Sequence, residues 1–122
     1  MDDGLLENLP RKERLVLEIL LRRERATARE VMADLDGASS YSAVRGLLTL
    51  LVSKGLAKHS KDGRHYIYEP NVNPDQVQKT ALEGLLKTFF QGRPEKLVAS
   101  LLSLEDRQLK AEEIERIRKL LD

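Results

Sequence analysis

A chain of 122 residues, 34% charged and 41% hydrophobic, has room for one small domain and an appendage, which leaves no space for a large catalytic cleft and argues against general disorder. The formal net charge of +1 hides a local excess: residues 39–68 hold Arg45, Lys54, Lys58, Lys61 and Arg64 against Asp62 alone, whereas residues 71–122 are balanced. With no cysteine there is neither a disulfide framework nor a thiolate metal site.

The acidic start Met1-Asp2-Asp3-Gly4 lacks the basic opening of a signal peptide, and no apolar run reaches the roughly 18 residues of a membrane span. A cytoplasmic location without membrane insertion is expected.

From Pro10 to Arg22, Leu15, Val16, Ile19 and Leu20 recur at helical spacing, with Pro10 suited to the first turn. Thr27 and Glu30 have capping-box spacing and open a second helix, with Val31, Met32 and Leu35 inward and a stop near Asp36-Gly37. Ser39 or Ser40 caps a third helix running to Lys54, in which Val44, Leu47, Leu48 and Leu51 form the buried stripe. Gly46 within it costs up to about 1 kcal/mol relative to alanine, so close approach of a neighbouring helix or of DNA is a reason for it. Past Gly55 the period changes: residues 56–60 and 65–69 read as strands around Lys61-Asp62-Gly63-Arg64, and Asp-Gly is a strong hairpin signal.

Three short helices and a hairpin with a basic tip make the layout of a winged helix, a helix-turn-helix variant whose second motif helix enters the major groove. The fold class is therefore mainly α with a small β wing: a winged helix-turn-helix domain over residues 1–70 and a helical dimerisation domain over residues 71–122.

The stripe on the third helix leaves Tyr41, Ser42, Arg45 and Thr49 toward the opposite face, where Arg45 suits a guanine edge or a phosphate. Ser40, Tyr41, Ser42 and Ala43 at the helix start suit a base, a thymine methyl or a phosphate oxygen. Lys61, Arg64 and His65 on the wing suit phosphates and set position more than sequence. A plainer alternative makes Arg45 a solvated surface residue and Lys61 and Arg64 soluble hairpin residues. Tyr66 and Tyr68 share a strand face and are expected in the core. His59 and His65 lie on facing strands without other ligands, and no phosphate loop, nucleophile motif or zinc motif appears, so no cofactor, metal or enzyme activity is expected.

Pro70-Asn71-Val72-Asn73-Pro74 is a hinge, followed by a helix from Asp75 to Phe90 with Val77, Leu82, Leu85, Leu86, Phe89 and Phe90 at mainly helical spacing. After Gln91-Gly92-Arg93-Pro94 come a helix from Glu95 to Ser103, with Leu97, Val98, Leu101 and Leu102, and one from Asp106 or Lys110 to Leu121, with Ile114, Ile117, Leu120 and Leu121. Glu112 with Arg116 and Glu115 with Lys119 are i,i+4 pairs on its outer face. Three such helices bury little alone, so these apolar faces call for another chain, most economically a twofold homodimer that presents two reading helices to a near-palindromic DNA site. The alternative is an intramolecular three-helix bundle serving a monomer.

Over nearly its whole length the chain resembles the penicillinase-repressor family (BlaI/MecI type) of winged-helix transcriptional regulators. The resemblance lies in Ala28-Arg29-Glu30-Val31, in Tyr41-Ser42-Ala43-Val44-Arg45 with Leu47-Leu48 and Leu51, in Lys54-Gly55-Leu56, and in Gly63-Arg64 leading to Tyr68-Glu69-Pro70. It implies a homodimeric repressor bound to a palindromic double-stranded DNA operator. It also implies release through a membrane sensor protease system that leads to cleavage of the dimerisation part, at a position matching Ser100-Leu101. That pair differs in kind from the family's Asn-Phe; Ala43 and Gly46 stand where threonines are usual, and Leu50 where an arginine is usual. The cysteine-rich metal tail of copper-responsive relatives has no counterpart. A different class of function, a winged-helix module that binds proteins instead of DNA, is the alternative.

Overall fold

The computed structural model describes residue 6, residues 8–35, residue 37, and residues 39–104 and 109–121. Its elements run α1 (Arg11–Arg23), α2 (Ala28–Asp34), α3 (Tyr41–Ser53), β1 (Ala57–Asp62), β2 (His65–Pro70), α4 (Pro74–Phe89), α5 (Pro94–Ser103) and α6 (Ala111–Leu121). Two compact units divide the chain, Met1–Thr80 and Ala81–Asp122, with the boundary inside α4.

In the first unit the apolar stripes of three helices converge. Val16, Leu17 and Leu20 of α1, Val31 of α2, and Val44, Leu48 and Leu51 of α3 are fully buried, with Ala57 and Tyr68 of the hairpin beside them. Burying a leucine or valine of this kind contributes about 1.5–3 kcal/mol, so the seven fully buried chains are the main reason the unit folds. Leu17, which periodicity does not single out, lies at the centre, whereas Leu15 is only half-buried.

Helix ends follow local chemistry. Pro10 sits just before α1 instead of in its first turn, and its carbonyl accepts from Arg14 N at 2.9 Å. The expected capping box is formed: Glu30 N donates to Thr27 Oγ1 at 3.2 Å, and Thr27 N to Glu30 Oε1 at 2.8 Å. Ser40, not Ser39, caps α3 by accepting from Ala43 N at 3.1 Å. A Cβ on Gly46 would meet nothing within 4 Å, so no neighbouring helix accounts for that glycine. At α4, Pro74 opens the helix while the Asn73 side chain accepts from Asp75 N at 3.0 Å.

The hairpin is antiparallel, from Ala57↔Pro70 to Asp62↔His65. Pairing thus runs through Lys61 and Asp62, and the two-residue turn is Gly63-Arg64 instead of one centred on Asp-Gly. Gly63, with φ +64°, stands first in the turn, as the type II′ hairpin requires. At its base, Tyr68 and Ala26 exchange backbone hydrogen bonds of 2.8 and 2.9 Å, which tie β2 to the chain entering α2.

This attachment explains a difference from the expected core. Tyr68, held over the helices, is 4% exposed, but Tyr66, two residues nearer the tip on the same face, is 40% exposed. Its ring instead packs edge-on to His59, at 5.0 Å between centroids.

In the second unit, no described residue is buried. α5 begins with Pro94, and α6 begins at Ala111, where Lys110 N donates to Glu113 Oε1 at 3.0 Å; the alternative start at Asp106 lies outside the described residues. Among the described residues the ion pair on α6 is Arg118 with Glu115 at 3.7 Å, three residues apart, in place of the expected i,i+4 pairs. No helix of the described residues is long and apolar enough to cross a membrane.

Candidate nucleic-acid interface

With Val44, Leu48 and Leu51 inward, the helical period turns Ser42, Arg45 and Thr49 to the opposite side of α3, and all three are exposed, as are Tyr41 and Ala43. Ser40 is exposed too, but its hydroxyl oxygen is engaged as the cap. Lys61, Arg64 and His65 are exposed on the hairpin.

Between the start of α2, the start of α3 and β2 lies an open concavity of about 540 Å³. It brings together Tyr41, Arg45, Arg64 and His65 of the sequence-predicted residues. Ser40, Ser42, Ala43, Thr49 and Lys61 do not line it. A further cation, Arg29 on α2, joins the lining, and its guanidinium carbon lies 4.6 Å from the centroid of the Tyr41 ring. Sequence reasoning placed Arg29 only as a member of a resembling stretch. Its sole local signal is a basic residue within the capping-box stretch Thr27-Ala28-Arg29-Glu30, because the approach of α2 to Tyr41 is a tertiary fact.

Two carboxylates of α2, Asp34 and the concavity-lining Glu30, are engaged within the fold. Arg23 grips Asp34 through two bonds, Nε to Oδ2 at 2.7 Å and Nη2 to Oδ1 at 3.0 Å, and reaches Glu30 at 3.7 Å. The hydrogen bond from Arg23 holds Asp34 below the ordinary carboxylate range and raises the Arg23 guanidinium in turn. Glu30 is held low mainly by the backbone N–H of Thr27. Among the described residues, Arg29, Arg45, Lys61 and Arg64 form no ion pair, so this face keeps its positive charge for a partner. No group of three or more potential metal ligands occurs among the described residues.

A helix-turn-helix with a basic wing is the geometry of a DNA reader, and comparison with known proteins identifies its kind. The family model described as Penicillinase repressor matches residues 9–122. The chain belongs to the penicillinase repressor family. It is 27% identical over 109 residues to the penicillinase repressor of Bacillus licheniformis, covering 88% of this chain and 84% of that protein.

Among solved structures, the DNA binding domain of the repressor BlaI matches at 26% identity and a TM-score of 0.49, over 56% of this chain and 85% of that one. A mutant of MarR from E. coli, complexed with operator DNA, matches at 19% identity and a TM-score of 0.53, over 98% of this chain and 82% of that one. Wild-type MarR from E. coli in its apo form matches at 18% identity and a TM-score of 0.53, over 98% and 85%. The MarR likeness bears on the fold alone. As a member of the penicillinase repressor family, the chain is a winged-helix, DNA-binding transcriptional repressor and not an enzyme.

Proposed function

We propose that the chain acts in the cytoplasm as a homodimeric repressor on a near-palindromic double-stranded operator. Residues 1–70 serve as the reading domain and residues 71–122 as the dimer clamp. The observation that carries the reading is the concavity where Arg29, Tyr41, Arg45, Arg64 and His65 converge around a single lining carboxylate, Glu30, which is engaged by Thr27 and Arg23. In this reading α3 enters the major groove, where Arg45 meets a base edge or a phosphate, while Ser40, Ser42, Ala43 and Thr49 meet neighbouring bases and phosphates. Lys61, Arg64 and His65 neutralise phosphates from the wing.

The clamp is supported by apolar side chains exposed in the second unit: Leu82 47%, Leu85 40%, Phe89 69%, Val98 50%, Leu101 52% and Leu102 37% on α4 and α5, and Ile114 45%, Ile117 42%, Leu120 84% and Leu121 82% on α6. Leu86 and Leu97 are half-buried beside them. Apolar surface on this scale is an interaction site or a liability, and the facing surface of a second copy removes it from water.

Relief of repression by a membrane sensor protease system, with cleavage at Ser100-Leu101, completes the proposal. That bond lies inside α5, where Ser103 Oγ donates to the Ser100 carbonyl at 3.0 Å, so cleavage requires local opening of the helix. The test of the central reading is a gel shift on the promoter region of its own gene. Salt-sensitive binding by a dimer is expected; absence of binding to any duplex defeats it. Arg45→Glu with Arg64→Glu should abolish binding while the dimer persists.

A further inference from the structure

Arg29 stands on the second residue of α2 and is exposed, yet its guanidinium is laid over the ring of Tyr41, the first residue of α3. Attraction between a cation and the negative face of an aromatic ring holds it there, so the guanidinium is oriented before any ligand arrives and gives up less freedom on binding. Among the described residues it forms no ion pair: the neighbouring Glu30, which lines the same concavity, is bonded to Thr27 and approached by Arg23 instead. The same concavity continues from this pair to Arg45, Arg64 and His65.

Arg29 belongs to α2 and not to α3, whose stripe Ser42, Arg45 and Thr49 a groove would receive. In helix-turn-helix proteins, the helix that precedes the reading helix crosses the DNA backbone and does not enter the groove. The chemistry available to a fork of N–H donors at that place is a phosphate diester.

We propose that Arg29 binds a DNA backbone phosphate at the edge of the operator, and that Tyr41 is its positioning residue, acting through the face of its ring and not through its hydroxyl. The proposal rests on the concavity being the DNA-facing side. It makes α2 a direct part of the interface and gives Tyr41 a role different from contact with a base.

The experiment measures fluorescence anisotropy with a duplex from the protein's own promoter and a random duplex of equal length, across a salt series, with far-UV circular dichroism as the folding control. For one phosphate contact, Arg29→Ala should lower the slope of log Kd against log salt by about 0.9 per bound protomer. At 0.1 M salt this corresponds to about 8-fold weaker binding per protomer, by the same factor on both duplexes. Tyr41→Phe should bind as the wild type does, Tyr41→Leu should weaken binding, and Tyr41→Leu should add nothing once Arg29→Ala is present.

An unchanged slope in Arg29→Ala, while the wild type binds, overturns the phosphate contact. Equal losses in Tyr41→Phe and Tyr41→Leu, or additive losses in the double variant, overturn the positioning role. If the wild type binds neither duplex, the DNA-facing reading of the concavity fails, and this proposal fails with it.

Discussion

Lys54, the residue that closes α3, places its ammonium 2.5 Å from Oε1 of Glu13 on α1, a carboxylate whose side chain is only 6% exposed. The contact joins the C-terminal end of the reading helix to the first helix across 41 residues of sequence. Lys54→Met leaves a buried carboxylate without its partner and should cost about 1–3 kcal/mol in urea unfolding. Replacing both, Glu13→Leu with Lys54→Met, should recover much of that loss, because two apolar side chains carry no desolvation cost. Equal instability of the single and double variants would show that the pair is incidental.

Thr27→Ala removes one half of the capping box and the first support of a helix only seven residues long. A loss of about 1 kcal/mol is expected. Thermal unfolding of the purified protein measures it, and a change below the error of the melt speaks against the cap as a stabiliser.

Acid should unfold the protein partly through Glu30 and Asp34. Both carboxyls are held below their ordinary range, so their contribution is fully present above that range and is lost as pH falls through their lowered values. Asp34→Asn removes one of these groups, so the acid limb of Tm against pH should become shallower. A limb as steep as that of the wild type contradicts the assignment.

Arg45 and the wing should fail in different ways. For Arg45→Ala, the preference for the operator over a random duplex should shrink by about 1–3 kcal/mol if its contact is a base edge. For Lys61→Ala or Arg64→Ala, binding to both duplexes should weaken together and the salt slope should drop. Competition binding at two salt concentrations separates these outcomes.

Charges placed in the apolar faces of the second unit should break the proposed dimer. Leu85→Asp or Ile117→Asp should shift the sedimentation coefficient from dimer toward monomer, since an unpaired charge cannot be buried cheaply. A wild-type protein that sediments as a monomer at micromolar concentration rules the clamp out.

How far the sequence spoke depended on the range of the interaction involved. Helices and caps are local, so the Thr27–Glu30 box, the stripe Val44, Leu48 and Leu51, and the presence of a hairpin around Gly63 are legible, whereas the placing of its turn on Gly63-Arg64 is not. Tyr66 falls outside the expected core because the period of a strand tells which face a residue shares and not how far the core extends beneath it. Arg29 beside Tyr41 and Glu13 beside Lys54 were out of reach for a related reason: each joins two helices whose approach is decided by packing.

The first unit encloses a core of its own, whereas among the described residues the second encloses none. If a second copy completes that core, the stability of residues 81–122 becomes a function of how much protein is present. A cell making too few copies would then hold single chains with an open clamp, and operator occupancy would rise with roughly the square of chain concentration while dimers are scarce. Repression would have a threshold in gene dosage, set by the apolar faces of α4, α5 and α6 together with the affinity for DNA.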